Sequence, residues 1–240
     1  ICQSNEDYKK EIKSVQTLLD ARVSGILASQ SKTTHEYGHF QDVLDNNVSL
    51  VFFDRICTGV NTDRVVVDDY DGAFNAVNYM VSTGCRKIAF LGSDANMHIS
   101  NNRRMGYEDA LRKNKLPINK SFIKECDTQI IAQTMVPDML SATDVPDAFF
   151  CINDEVAAYC LQLVKAAGFR VPEDISICGF TNGYLTEVTD PTLTSVDQHG
   201  FQIGVEAARL LIDRIEGRET KEGVVNKLIK TNLVVRNSTR

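Results

Sequence analysis

No stretch of the 240 residues approaches the ~18 consecutive apolar positions that a membrane-spanning helix needs. Basic residues are in deficit: 26 Lys and Arg stand against 32 Asp and Glu, a formal charge of −6, which argues against a surface that coats nucleic acid. The opening residues Ile1-Cys2-Gln3-Ser4-Asn5-Glu6 carry neither the basic nor the apolar region of a secretory signal, so export has no support here and a cytoplasmic location is expected. None of the seven cysteines forms a C-x-x-C pair, and several sit within apolar runs such as Phe149-Phe150-Cys151-Ile152. They read as reduced core thiols, not as disulfides or metal ligands. The glycine signatures G-x-G-x-x-G, G-x-x-x-x-G-K-[ST] and G-x-S-x-G are absent. That removes the usual marks of dinucleotide enzymes, P-loop NTPases and α/β-hydrolases, so the reading is non-enzymatic, with no cofactor.

With 43% hydrophobic and 24% charged residues, the composition is that of an ordinary globular protein, long enough for one large core or two smaller ones. Short apolar runs recur at Gly25-Ile26-Leu27-Ala28, Leu50-Val51-Phe52-Phe53, Lys87-Ile88-Ala89-Phe90-Leu91, Asp147-Ala148-Phe149-Phe150-Cys151 and Ile175-Ser176-Ile177-Cys178. Each has the length of a buried parallel strand. Amphipathic stretches lie between them: Tyr8, Ile12, Val15 and Leu18/Leu19 share one helical face, as do Ala73, Val77 and Met80, and Val156, Cys160 and Val164. Gly84 and Gly168 mark helix ends, Pro172 follows the second, and Asn153-Asp154-Glu155 supplies capping groups at a helix start. Strand alternating with helix predicts α/β architecture with doubly wound parallel sheets. Five strands plus later segments at 193–196 and 224–235 exceed one small sheet, so two lobes are expected, joined by crossing segments and not by a flexible linker.

His35-Glu36-Tyr37-Gly38-His39 matches H-E-x-x-H, in which two imidazoles one helical turn apart bind zinc. Gly38 weakens such a helix by about 1 kcal/mol, and no third ligand follows at a recognisable spacing. The segment therefore reads as an exposed helix start that feeds Phe40, Val43 and Leu44 into the core, with no metal. More informative are polar residues at strand ends: Ser29, Asp54-Arg55, Ser93-Asp94, Asn153-Asp154 and Thr181-Asn182. Ligands of open α/β sheets bind beyond the carboxyl ends of the strands, so these residues sketch a pocket for a hydroxyl-rich small molecule. Singly each has a plainer role: Asn153 and Asp154 can cap a helix, and Asp54 can pair with Arg55.

The wording of the chain resembles the effector-binding core of the LacI/GalR family of bacterial transcription regulators. The motifs occur in order: Val23-Ser24-Gly25-Ile26-Leu27, Val51-Phe52-Phe53-Asp54-Arg55, Val67-Asp68-Asp69-Tyr70-Asp71-Gly72-Ala73, and Gly84-Cys85-Arg86-Lys87-Ile88-Ala89-Phe90-Leu91-Gly92. Arg103-Arg104-Met105-Gly106-Tyr107, Pro146-Asp147-Ala148-Phe149-Phe150-Cys151-Ile152-Asn153-Asp154, Val171-Pro172-Glu173-Asp174-Ile175-Ser176-Ile177-Cys178-Gly179-Phe180 and Pro191-Thr192-Leu193-Thr194-Ser195-Val196-Asp197-Gln198 follow. The Thr181-Asn182 pair and the Thr194–Gln198 string are similar to a Bacteroidetes-type branch.

The resemblance implies a periplasmic-binding-protein-like fold of two lobes, 1–67 plus 199–224 and 68–198 plus 225–240, with crossings near 67–69, 196–198 and 225–228. It also implies a sugar-like effector in the cleft, a homodimer, and operator DNA bound through a helix-turn-helix headpiece outside these residues. Ser29 and Asp54 would face the effector from one lobe, and Arg103, Asn153, Thr181 and Asn182 from the other. Arg103 offers a planar fork of donors, and Asp54 and Asn153 offer acceptors for hydroxyl groups. Thr181 stands where the family often has Asp, which removes one carboxylate acceptor. The core's first strand and helix have no counterpart, Ile1-Cys2 reads like its second strand, and the sequence is expected to be part of a longer chain. An exported sugar-binding protein of a transport system shares the fold and is the alternative.

Overall fold

The computed structural model describes residues 1–94, 97–218 and 223–240, which form two compact units. The first comprises Ile1–Val67 and Gly200–Ile229, the second Asp68–His199 and Lys230–Arg240. The chain thus passes between units at 67/68, 199/200 and 229/230. Residues 225–229, expected in the second lobe, belong to the first, because Asn226–Ile229 pairs in parallel with Asp63–Val67. The third passage therefore falls just after this strand, and His199 stays with the second unit.

In the first unit, strands β1 (Gly25–Ala28), β2 (Ser49–Phe53), β3 (Asp63–Val67) and β9 (Asn226–Ile229) form a parallel sheet in the order β1-β2-β3-β9. Alternation sorts the side chains. Leu50 and Phe52 join Val15, Ile26, Phe40 and Val43 under helices α1 (Tyr8–Asp20) and α2 (Gly38–Asp45), while Val51, Val65 and Val67 pack with Ile203 and Ala207 of helix α8 (Gly200–Ile215) on the other face. Strand β3 was not foreseen. It is held by Asp63, whose carboxylate takes the Nε and Nη2 groups of Arg214 at 2.7 and 2.9 Å and the Val225 amide at 2.8 Å. Ile1-Cys2 is not a strand: residues 1–4 have no regular structure, and β1 pairs only with β2 among the described residues.

The second unit holds strands β4 (Ile88–Gly92), β5 (Ile123–Glu125), β6 (Ala148–Cys151), β7 (Ser176–Thr181), β8 (Thr194–Asp197) and β10 (Asn232–Val234), in the order β10-β8-β7-β6-β4-β5. All pairings are parallel except that of β10 with β8. Helices α3 (Asp69–Ser82), α4 (His98–Lys113), α5 (Gln129–Leu140), α6 (Asp154–Ala166) and the single turn α7 (Leu185–Val188) complete the unit. Phe90, Phe149, Phe150, Cys151, Ile177, Cys178 and Phe180 are essentially inaccessible to solvent. Each large apolar side chain so buried contributes roughly 1.5–3 kcal/mol. All seven cysteines are free, and all but Cys2 are buried; burial raises the thiol of Cys126 to about 12. Among the described residues no helix is long and apolar enough to cross a membrane.

Candidate functional site

In the first unit, Ser29 follows β1 and Asp54 follows β2, so the two stand at the carboxyl ends of adjacent strands. Ser29 borders a trough of about 430 Å³ beside β1, shared with Leu27, Phe40 and Phe53. Asp54 sits at φ 57°, a left-handed conformation uncommon outside glycine, fixed by its amide donating to the Val65 carbonyl at 3.1 Å. Its expected partner is engaged elsewhere. Arg55 forks onto Glu6 at 2.8 and 2.9 Å, while its Nε lies 4.0 Å from Asp54, which leaves the Asp54 carboxylate free of a close charge-assisted bond to its neighbour.

The loop after β1 is pinned by two carboxylates that sequence reasoning missed. Glu11, buried on α1, accepts from the Ser31 amide, the Thr34 hydroxyl and the His39 Nε2–H at 2.5, 2.6 and 2.9 Å. Burial pushes the Glu11 carboxyl up, but these donors outweigh it and hold the group below its ordinary value. Glu6 behaves likewise, burial being overcome by Arg55 and the Lys32 amide. Glu11 shares the apolar face of Tyr8 and Val15, the one sequence signal that it points inward. His39 is buried and not at an exposed helix start, because the helix begins at Gly38 and carries the ring onto Glu11. His35 lies outside the helix, with Nδ1 3.0 Å from the Thr33 carbonyl. Among the described residues no group of three or more His, Cys, Asp or Glu could hold a metal ion.

In the second unit the remaining candidates follow β4, β6 and β7, which are neighbours in the sheet. Arg103 on α4 is 3% exposed. Its Nε and Nη2 each lie 2.8 Å from Asp69 Oδ1, its Nη1 donates to the Ile152 carbonyl at 2.5 Å, and its guanidinium sits 3.6 Å above the Phe180 ring. These contacts involve all three nitrogens of the guanidinium. Arg104 points away: its side chain is 43% exposed and pairs with Glu108 one turn along the same helix. Gly106 permits the approach of α4 to α3, since a Cβ there would stand 2.3 Å from the Tyr70 carbonyl oxygen.

Asn153 caps α6, its Oδ1 accepting from the Val156 amide at 2.8 Å. Buried Asp154 accepts from Ser195 Oγ at 2.5 Å and from the Gly183 amide at 2.7 Å; burial outweighs these donors and raises its carboxyl above the ordinary value. Thr181 closes β7 at φ 126°, and Asn182 follows at φ 58°. A β-branched residue in that region costs roughly 1–3 kcal/mol, a strain that concentrates at ligand sites. Asn182 holds the turn: its amide donates to Ser195 Oγ and its Nδ2 to Asp197, each at 3.1 Å. The structure therefore brings Arg103, Asn153, Thr181 and Asn182 to the carboxyl ends of neighbouring strands in the second sheet, with Asn153 and Asn182 engaged in internal bonds.

Comparison with known proteins adds independent information. A family model described as "Periplasmic binding protein-like domain" matches residues 77–239. The HTH-type transcriptional repressor PurR of Vibrio parahaemolyticus is 28% identical over 243 residues, an alignment that covers the whole chain and 71% of that protein. The HTH-type transcriptional repressor CytR of Escherichia coli is 34% identical over 192 residues, covering 80% of the chain and 56% of that protein. Among solved structures, the complex of the transcriptional regulator CelR with cellobiose superposes with a TM-score of 0.85 at 28% identity, covering 95% of the chain and 70% of that protein.

Proposed function

The chain belongs to the LacI/GalR family of transcription regulators and is a ligand-responsive repressor core of periplasmic-binding-protein-like fold, and from this premise we propose that it binds a sugar or sugar derivative at the carboxyl ends of its strands. The observation that carries this reading is Arg103. Stacked on Phe180 beside the strained Thr181, its planar fork of donors stands at the carboxyl ends of the strands, where α/β proteins take their ligands. In the first unit, Ser29 and Asp54 stand at the corresponding strand ends and are the candidate hydroxyl partners there. The cellobiose held by CelR supports a carbohydrate class. Ligation shifts a conformational equilibrium that a DNA-binding headpiece elsewhere in the protein reads, without turnover of the ligand.

The regulator works in the cytoplasm as a homodimer. Supporting the dimer, α6 adjoins both α5 and α7, and α5 exposes Ile130 at 78% while the α7 turn and its N-cap expose Val188 at 70% and Tyr184 at 78%, large apolar side chains of the kind that interfaces cover. Thermal-shift and calorimetric screening of mono- and disaccharides, sugar phosphates and sugar acids tests the ligand class. At one hundred times Kd a ligand specific for the folded state adds about 2.7 kcal/mol of apparent stability. Binding of at least one carbohydrate, unchanged after hours of incubation, is expected; binding of none contradicts the proposal.

A further inference from the structure

The second-unit ends of the first and third passages meet at the first turn of α3, and β8, the strand that leads to the second, packs against it. The first passage enters directly into it, with Asp68 as the N-cap accepting from the Asp71 amide. The third is tied to it by Lys230, whose Nζ donates to Asp68 Oδ2 at 2.7 Å, and by Thr231, whose hydroxyl donates to the Asp68 carbonyl at 3.5 Å. The second is reached through β8. A Cβ at Gly72 would stand 2.9 Å from Thr231 Oγ1 and 3.0 Å from both Val196 and Phe180, so glycine lets this turn lie close against β8, the third passage and the ring beneath Arg103.

Asp69 is the next residue of the same turn, 2% exposed, and its carboxylate carries the ion pair with Arg103. One buried side chain thus joins the turn where the first and third passages meet to the guanidinium assigned to the ligand. In a low-dielectric interior such a pair responds strongly to a new partner on either side.

We propose that Asp69 is a positioning residue that couples ligation of Arg103 to the three passages, through the Asp68–Lys230 clamp and the Gly72 contact. A ligand oxygen that bonds to the guanidinium of Arg103 competes with Asp69 for it, and the change is felt first at 68–72 and 230–231. The proposal rests on the reading that Arg103 meets the ligand, but its coupling step is testable without one.

The experiment is amide hydrogen exchange, read by mass spectrometry, on the ligand-free protein and its Asp69→Asn, Arg103→Lys and Arg104→Ala variants. Asp69→Asn keeps the shape and an acceptor oxygen; Arg103→Lys keeps the charge and discards the fork. Both should speed exchange in peptides spanning 68–73 and 229–233 at least about five-fold, whereas β6 and β7 keep wild-type protection and Arg104→Ala changes nothing. The double variant should exchange no faster than the faster single, because the two residues act through one link. Unchanged exchange at 68–73 and 229–233 in both single variants overturns the proposal. So does uniform acceleration across the unit, the signature of plain destabilisation. A variant too unstable to measure is replaced by Lys230→Met, which cuts the clamp at the surface and must loosen 68–73 for the proposal to stand. Failure of carbohydrate binding with the exchange result intact would remove the ligand reading alone; binding with no exchange effect would remove the coupling alone.

Discussion

Glu11→Gln tests how the first unit holds the loop that follows β1. The carboxylate accepts three hydrogen bonds, from Ser31, Thr34 and His39, and lies almost wholly out of water. The amide can accept at one oxygen only and must turn its NH2 toward donors at the other. Hydrogen bonds to a charged group contribute about 1.5–3 kcal/mol each, and breaking a buried pair costs about 3–5 kcal/mol, so a loss of roughly 3–5 kcal/mol is expected in the first unit. Acidification should reproduce part of it. The folded-state values of Glu6 and Glu11 lie below the unfolded value of 4.5. Their stabilisation is therefore present above pH 4.5 and is lost as pH falls through the folded values. Asp154 has the opposite sign: its folded value lies above 3.8, so its charged form weakens the second unit as pH rises through that folded value. Urea unfolding from pH 3 to pH 7, followed by peptide-resolved hydrogen exchange to separate the units, checks both. Wild-type stability of the first unit in Glu11→Gln, or a first unit strengthened by acid, would refute the reasoning.

Three further outcomes follow from specific contacts. Gly179→Ala places a Cβ 2.3 Å from Asp154 Oδ1 and 3.3 Å from its Cα, so strand β7 or the carboxylate must move, with an expected loss of about 1–3 kcal/mol in denaturant melts. Phe150→Ala, in the middle of the second core, should cost about 3–5 kcal/mol, and a smaller loss by the same melts would mean that the site collapses. Tyr184→Asp combined with Ile130→Asp should shift sedimentation velocity from dimer to monomer at micromolar protein while leaving the circular dichroism spectrum unchanged; an unaltered dimer would place the interface elsewhere.

The strands legible in the sequence were those buried on both faces. Ile88-Ala89-Phe90-Leu91 and Ala148-Phe149-Phe150-Cys151 are continuous apolar runs because helices cover both sides of the second sheet. Strand β3 was hidden because Asp63 and Arg64 open it with charge, and only the tertiary partners of Asp63 make that opening tolerable. Asn226-Lys227-Leu228-Ile229 at the sheet edge is half polar for the same reason and was assigned to the wrong lobe. At the site, strand-end position and the capping role of Asn153 could be read directly. Asp69 could not, since nothing local indicates that a helix-start aspartate faces inward onto an arginine 34 positions away. The Glu11–His39 pair was equally silent, being made by two helices that lie side by side on one face of the sheet.

The account rests most heavily on Arg103 as the ligand clamp, and calorimetric titration of the best carbohydrate from the screen into wild type, Arg103→Ala and Arg104→Ala tests it most directly. Loss of charge-assisted bonds should weaken binding to Arg103→Ala by roughly 2–4 kcal/mol, about 30- to 900-fold in Kd, with Arg104→Ala within a factor of two of wild type. Equal affinity in wild type and Arg103→Ala, or the larger loss in Arg104→Ala, would contradict the account.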